Sequence, residues 1–206
     1  MRRSVGSDAS KLDDVEPSDE ALCRRVAERD EAAFDALVGR YQQRAWRLAW
    51  SILRDAEEAR DISQEAFVRL YQTAETFAGR ARFSTWFYRI LVNLCLDHRR
   101  RRWWQIMGRN HHETQDTGST ESLIERLPAD HGDPAEAVSR ERLVRRLWAE
   151  VDRLAPQQRA AVLLQVQEEL STSEIAAVLQ CSEATVRVHL HRALARLRKT
   201  MGRTER

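Results

Sequence analysis

Arginine and histidine side chains share one face of a helix near the C-terminal end of the chain, in STSEIAAVLQCSEATVRVHLHRALARLR, residues 171–198. Gln180-Cys181-Ser182 predicts a tight turn between two helices, with Ser182 as a suitable N-cap for the second. Apolar residues recur at helical period along one side of that second helix, at Val186, Leu190, Ala193, Leu197 and Met201. The opposite side carries the cations and small residues Ala184, Arg187, Val188, His191 and Arg192. Helix-turn-helix proteins enter the major groove in this way, although a helical hairpin with a solvated basic face has the same pattern.

A second cluster suited to nucleic acid lies mid-chain, in FSTWFYRILVNLCLDHRRRR, residues 83–102. A cation at a helix C-terminus contributes only about 0.3–1 kcal/mol, so one or two would be enough for a structural helix. The arginine run Arg99–Arg102 therefore indicates phosphate contacts, which give affinity without reading sequence. Tyr88 is predicted to lie away from the apolar stripe of this helix, where it is placed to stack on an unpaired base.

Residues that would carry catalysis or bind a metal do not form a recognisable pattern. We find no paired nucleophile and base and no phosphate-binding loop, so we expect no catalytic residue and no cofactor. Three cysteines, Cys23, Cys95 and Cys181, lie far apart and indicate a reducing compartment rather than a disulfide framework. Histidines between 111 and 131 are too loosely spaced to predict a metal site.

Composition predicts an all-helical protein that works in the cytoplasm. The 206 residues include only seven Gly and four Pro, and the formal net charge is +2. Cations gather near the C-terminal end and at Arg99–Arg102, whereas acids gather in Asp8–Glu31 and Asp55–Glu65, so one face suits nucleic acid and the other a protein partner. No apolar run of about 18 residues occurs and the first residues lack an apolar core, so we expect neither membrane insertion nor a signal peptide.

Hydrophobic periodicity divides the chain into two helical domains. Residues 1–17 are predicted to be a disordered tail and residues 18–104 a four-helix bundle, with helices over about 19–28, 30–55, 56–76 and 84–102. Residues 105–133 are predicted to be a flexible linker, and residues 134–206 a second four-helix domain. The first helix of this domain, about 135–154, carries an apolar stripe that is predicted to be buried: Val138, Leu143, Leu147, Val151 and Leu154. The second helix begins at Pro156, and its predicted buried side comprises Ala160, Val162, Leu163, Val166 and Leu170.

This ordered set of motifs resembles bacterial sigma factors of the sigma-70 family, and within it the short extracytoplasmic-function (ECF) group. AAFDALVGRYQQRAWRLAWSILRDAEEARDISQEAFVRLY is similar to regions 2.1–2.2, FAGRARFSTWFYRILVNLCLDHRRRR to regions 2.3–2.4, and residues 134–200 to region 4.2 with the helices before it. The resemblance implies a region 2 bundle and a region 4 helix-turn-helix domain without a region 3. It also implies a non-catalytic subunit that binds core RNA polymerase, reads −35 and −10 promoter elements and helps open DNA.

The resemblance assigns roles to three sets of residues. Asp61, Gln64, Glu65 and Phe67 match the DxxQEAF motif, which in the family docks on the coiled coil of the polymerase β′ subunit; the β flap is the other polymerase contact expected. The loop Thr76–Phe83 matches the part that captures a flipped base, and the helix facing the −10 element is matched by Trp86, Tyr88, Asn93, Asp97, Arg99 and Arg100. The expected −35 surface comprises Ser182, Ala184, Thr185, Arg187, Val188, His191, Arg192 and Arg196.

Some questions stay open at this point. Val188 and His189 replace a small polar residue and an arginine that many members carry, so no promoter sequence follows; we expect Val188 to face outward and His189 to face the protein. Trp103-Trp104 is unusual after the arginines, and either caps the bundle or meets a partner. An anti-sigma partner is expected by analogy only. The competing interpretation is a transcriptional regulator with a helical sensor domain; the arginine run argues against it, because a sensor needs no second DNA face.

Overall fold

The computed structural model describes residues 16–108 and 134–201, and all regular structure in those residues is helical. This confirms the predicted all-α class. The α-helices are α1 (Asp19–Ala27), α2 (Glu31–Leu53), α3 (Ala56–Thr73), α4 (Phe83–Gly108), α5 (Pro134–Asp152), α6 (Pro156–Gln167), α7 (Thr172–Leu179) and α8 (Glu183–Met201), with a 3-10 turn at Ala74–Thr76. The predicted tail up to residue 15, most of the predicted linker and all of its histidines lie outside the described residues.

Local caps place most of the helix starts where the sequence predicts them. The Oγ of Ser18 accepts a hydrogen bond from the backbone N of Ala21 at 3.2 Å, and a carboxylate oxygen of Asp30 accepts one from Ala33 at 3.0 Å. Asp55 accepts from the first turn of α3 in the same way. The ends agree less well with the predictions, since α3 gives way to the 3-10 turn after Thr73 and α4 continues to Gly108.

Aromatic side chains fill the core of the bundle formed by α1–α4. Phe87 is fully buried, and its ring lies 5.0 Å from that of Phe67, 5.6 Å from that of Tyr41 and 6.0 Å from that of Phe83. Aromatic pairs at these separations contribute about 0.5–1.5 kcal/mol beyond their burial. Phe83, Trp86 and Phe87 therefore all face the core of the bundle.

The helix-turn-helix follows its sequence signals closely. Ser171 and Glu174 form a capping box at the start of α7, and Gln180 ends α7 in the left-handed conformation. Ser182 then accepts a hydrogen bond from the N–H of Thr185 at 3.1 Å, as predicted for the N-cap of α8. The stripe Val186, Leu190, Ala193 and Leu197 is buried; the side chain of Met201 lies outside the described part.

Two predicted apolar stripes are only partly covered. Leu143 and Leu147 of α5 are 48% and 37% exposed, and Val166 of α6 is 71% exposed, so the prediction that they are buried is wrong. Among the members of this stripe whose burial the structure describes, Val151 at the end of α5 and Leu154 just after it are buried. Helical period shows which residues share a face of a helix. How much of that face is buried depends on where the neighbouring helices cross it.

The helices α5–α8 pack directly on the bundle α1–α4. α7 lies against α4, and α6 lies against α2 and α4. Trp50 of α2 and Trp148 of α5 meet edge-on with ring centroids 6.1 Å apart. Across the described ranges, no helix combines the length and the apolar character needed to span a membrane.

The three cysteine thiols differ in how deeply they are buried, and this difference gives a first prediction. Burial raises the pKa of Cys23 to about 11 and that of Cys95 to about 12, whereas Cys181, in the turn before α8, is only half-buried. Because the thiolate is the reactive species, we expect iodoacetamide at pH 8 to modify Cys181 at least about tenfold faster than the other two. Peptide mass spectrometry over time measures the three rates, and equal rates in folded protein would contradict the packing.

Candidate nucleic-acid interface

Four of the six residues matched to the −10 helix share one face of α4. Trp86, Asn93, Asp97 and Arg100 follow at i, i+7, i+11 and i+14, which places them within about 60° of one another around the helix. Asp97 and Arg100 are exposed and form an ion pair at 3.1 Å, Asn93 is half-buried, and Trp86 is 8% exposed. These four side chains, called the α4 stripe below, present hydrogen-bonding groups to solvent, and the largely buried ring of Trp86 lies at the N-terminal end of the stripe.

Tyr88 and Arg99 face the opposite way, toward other parts of the protein. Tyr88 is fully buried, and its hydroxyl donates a hydrogen bond to the carboxylate of Glu168. The prediction that Tyr88 lies away from the core is therefore wrong, because the helices α6 and α7 cover that side of α4. Burial raises the pKa of Tyr88 well above its ordinary value. Arg99 donates to the carbonyl of Ile52 at 2.8 Å, at the C-terminal end of α2.

The four arginines of the run Arg99–Arg102 differ in their contacts and exposure. Arg99 serves the end of α2, and Arg102 donates to Glu58 at 3.0 Å, so both bind within the protein. Arg100 and Arg101 are exposed. Phosphate contacts, which the whole run indicated, are thus expected of these two alone.

Trp104 continues the α4 stripe by one more turn, since it lies at i+4 from Arg100. It is 64% exposed, and the neighbouring Trp103 is 52% exposed with its ring centroid 4.9 Å away. The pair therefore does not cap the bundle. Sequence reasoning left Trp104 out of the −10 set, although its spacing from Asn93, Asp97 and Arg100 would have included it.

The loop before α4 is held at both ends by aromatic and polar contacts. Phe77 packs on Trp86 at 5.4 Å between centroids, and the backbone N–H of Phe83 donates to a carboxylate oxygen of Glu20 at 3.0 Å. That hydrogen bond lowers the pKa of Glu20. Gly79 has φ +66 and no atom within 4 Å of where a Cβ would be, so the loop turns through open space.

The outward face of α8 is open for almost its whole length. Seven of the eight residues predicted for the −35 surface are exposed, and Thr185 is half-buried against the Ser182 hydroxyl. Arg187 is 64% exposed at its side chain and pairs with Glu183 at 3.3 Å. Val188 is 46% exposed and His189 is half-buried, which confirms the directions predicted for both.

A separate acidic face lies on α3 beside a surface cavity. Asp61, Gln64 and Glu65 are exposed, whereas Phe67 is buried. A cavity of about 430 Å³ opens between α2 and α3, and its lining residues are Phe34, Val38, Gln42, Trp46, Arg60, Ser63, Gln64 and Phe67. Two other acids of this segment, Asp55 and Glu58, are used internally as a cap and an ion-pair partner. The mostly apolar recess and the exposed carboxylates of Asp61 and Glu65 on the same helix are together suited to a basic, amphipathic helix.

A metal centre is not formed by the residues that the structure describes, because no group of three or more His, Cys, Asp or Glu ligands comes together there.

Comparison with known proteins finds two family matches along the chain. Residues 37–105 match Sigma-70 region 2, and residues 145–197 match Sigma-70, region 4. The RNA polymerase sigma-H factor of Pseudomonas aeruginosa is 32% identical over 192 residues, which cover 91% of this chain and 95% of that protein. The ECF RNA polymerase sigma factor SigW of Bacillus subtilis is 31% identical over 180 residues, which cover 86% of this chain and 94% of the relative.

Two solved structures share the fold. The structure of CnrH in complex with the cytosolic domain of CnrY matches with a TM-score of 0.64 at 21% identity, covering 90% of this chain and 98% of that one. The sigma factor RpoE of Bartonella quintana, solved with the anti-sigma factor NepR, matches with a TM-score of 0.65 at 18% identity, covering 82% of this chain and 96% of that one.

Proposed function

Since the chain belongs to the ECF group of the sigma-70 family, we propose that it binds core RNA polymerase through α3 and reads a two-part promoter through α4 and α8. Sigma factors direct promoter-specific transcription initiation, and this chain is a sigma factor. The observation that carries the residue assignment is the separation of three exposed faces: the acidic face of α3, the α4 stripe and the outward face of α8.

Each face suits a different contact. Asp61 and Glu65, exposed on α3, and Gln64, which lines the cavity, fit a basic helical element of the polymerase, for which the β′ coiled coil is the expected partner. Arg187 and His191 on α8 reach base edges of the −35 element, while Val188 offers an apolar contact to a thymine methyl group. The β flap is the expected polymerase contact of the region around α8.

Opening of the −10 element follows from the loop and stripe of α4. An unpaired base that binds the loop Thr76–Phe83 offsets the few kcal/mol of its unstacking, and no nucleotide hydrolysis is needed. Arg100 and Arg101 then hold the phosphates beside it, and Asn93 and Asp97 offer hydrogen bonds to the exposed strand. The chain acts as a specificity subunit in the cytoplasm, without a catalytic group of its own, and an anti-sigma protein is the expected regulator.

Run-off transcription tests this function directly. Purified chain and core polymerase are incubated with a library of templates randomised at the −35 and −10 elements, and enriched transcripts are sequenced. We expect specific start sites only when the chain is present, and co-purification of the chain with core polymerase. Sequence-specific binding to a single duplex site, with no association with core polymerase, would instead indicate the alternative regulator with a sensor domain.

Because phosphate contacts are expected of only two arginines in the run, a second prediction follows. Arg100→Ala with Arg101→Ala is expected to weaken binding of the holoenzyme to −10 single-stranded DNA, and to reduce the slope of log K against log salt by about 1.4, or about 0.7 for each phosphate that is no longer neutralised. Fluorescence anisotropy at several salt concentrations measures the slope.

Arg102→Ala is the matched control for this pair. Its guanidinium donates to Glu58, so its removal should lower thermal stability while leaving the salt slope unchanged. Equal slopes for all variants would contradict the division of the run.

A further inference from the structure

Large apolar side chains are exposed together where α4 ends. Trp103, Trp104 and Met107 are each more than half exposed, and all three follow the arginine run on the same helix. Among the described residues, the ring of Trp104 contacts no aromatic ring other than that of Trp103. Single exposed apolar residues are common on protein surfaces, whereas a contiguous group of large ones marks a binding site. The end of α4 therefore has the character of a contact surface.

Helix geometry aligns this patch with the α4 stripe. Trp104 follows Trp86 by 18 residues, or about five turns, so the two side chains lie on one line along α4 and about 27 Å apart. Asn93, Asp97 and Arg100 lie close to that line, between the two indoles. Trp86 is largely buried, whereas Trp104 is open to solvent. DNA that follows the whole length of the α4 stripe meets the ring of Trp104 at its far end.

The charges beside the patch favour DNA as its occupant. Arg100 and Arg101 are exposed and lie one turn before Trp104, on either side of its line along the helix. Asp97 holds Arg100 in place through the ion pair at 3.1 Å. Cations that contact phosphates beside an aromatic ring that stacks on a base are the combination with which proteins bind single strands. An apolar protein surface would use the patch but leave the two arginines unused.

The contact between the two indoles leaves room for a base. Their ring centroids are 4.9 Å apart and their planes are inclined by 76°, a T-shaped arrangement. In such a pair one ring turns its edge toward the face of the other, so each ring keeps at least one face clear of its neighbour. Tryptophan has only two side-chain torsions, and it therefore loses little conformational entropy when a base stacks on it. Trp103 thus supports Trp104 without covering it.

We propose that Trp104, supported by Trp103, stacks on the face of a promoter base at the end of the −10 contact farthest from the loop Thr76–Phe83. This assignment rests on the proposed function, since it extends the DNA contact of α4. The stacked base is either unpaired or part of the last base pair beside the opened strand. Because every base has a π face, Trp104 adds affinity for opened DNA without selecting a particular base.

Two replacements of Trp104 separate stacking from simple apolar contact. Trp104→Leu keeps an apolar side chain but removes the ring, and it is expected to weaken binding of the holoenzyme to fork-junction DNA by about tenfold. Trp104→Phe keeps a ring and is expected to stay within about threefold of wild type. The DNA carries the sequence enriched in the run-off selection, and fluorescence anisotropy measures the affinity. Unchanged affinity for Trp104→Leu, or an equal loss in both variants, would overturn the stacking.

Salt dependence and thermal stability supply the controls for these variants. A stacked ring neutralises no phosphate, so the slope of log K against log salt should be the same for Trp104→Leu as for wild type, in contrast to the Arg100, Arg101 variant. Melting followed by circular dichroism should also be unchanged, because the side chain of Trp104 is mostly exposed. A reduced slope would assign the loss to a disturbed arginine contact and reject the stacking.

Abasic sites locate the partner base. Single bases are removed in turn from the same DNA, and the affinity of each product is measured for wild type and for Trp104→Leu. At the base that stacks on Trp104, wild type is expected to lose about tenfold and the variant almost nothing, because the variant has already lost that contact. Elsewhere the two proteins should lose equally. Equal losses at every position would overturn the proposal.

Two further measurements distinguish other failures. Weaker binding of Trp104→Leu to core polymerase in the absence of DNA would show that the patch contacts protein, and it would overturn the proposal. If the wild-type holoenzyme binds no promoter DNA, the proposed function fails instead. Binding of the full chain alone to a labelled oligothymidylate then still decides whether Trp104 stacks, since Trp104→Leu should weaken that binding about tenfold as well.

Discussion

Replacing both Asp61 and Glu65 by lysine is expected to weaken binding to core RNA polymerase by about 100-fold. The two side chains are exposed one turn apart on α3, so a basic partner helix would meet two cations in place of two anions. Like charges placed together at an interface cost several kcal/mol, and about 2.7 kcal/mol corresponds to 100-fold. Competition against a labelled reference sigma factor measures the affinity, and run-off transcription should fall with it.

A control with the same charge change separates docking from general electrostatics. Glu28, which follows α1, and Glu169, which follows α6, are both exposed away from α3, and their double replacement by lysine carries the same charge change and should alter affinity by no more than a few-fold. Folding is expected to survive in both variants, because the ion pair that Glu65 forms with Arg69 at 2.9 Å lies on the surface and contributes little to stability. Normal polymerase binding by the Asp61, Glu65 variant would reject the assignment of α3 as the docking face.

Replacing both Arg187 and Arg192 by alanine is expected to reduce recognition of the −35 element by at least about 30-fold. Each good base contact is worth about 1–3 kcal/mol of discrimination, and both side chains lie between the N-terminal end of α8, which enters the groove, and the middle of that helix. Abortive-initiation assays on templates with an intact or scrambled −35 element give the ratio that measures recognition.

A third arginine, farther along α8, supplies the control for the Arg187, Arg192 variant. Arg198 is also exposed, but it lies near the C-terminal end of the helix, so Arg198→Ala should lower salt-dependent affinity without changing the ratio between intact and scrambled elements. A ratio that stays the same in the Arg187, Arg192 variant would remove α8 from the −35 assignment and leave the helix-turn-helix with a structural role.

Local features of the sequence determined the helices and the direction of most of their faces. Ser18, Asp30, Asp55 and Ser182 accept hydrogen bonds from the N–H groups of the turn that follows each of them, so helix starts could be predicted without knowing the fold. The buried stripe of α8 and the outward direction of Val188 follow equally from helical period, because a core face needs only apolar residues at the right spacing.

Only the tertiary structure decided which partner each face meets. The carboxylate of Glu168, just after α6, accepts hydrogen bonds from Arg44 of α2, 124 residues away, and from Tyr88 of α4, 80 residues away. No local pattern in the sequence indicates that these three side chains will meet. The same limit explains Arg99 and Arg102, which look like their neighbours in sequence but bind Ile52 and Glu58. Helical period fixes the angle of a side chain around its own axis, whereas its burial depends on which distant helix packs against that angle.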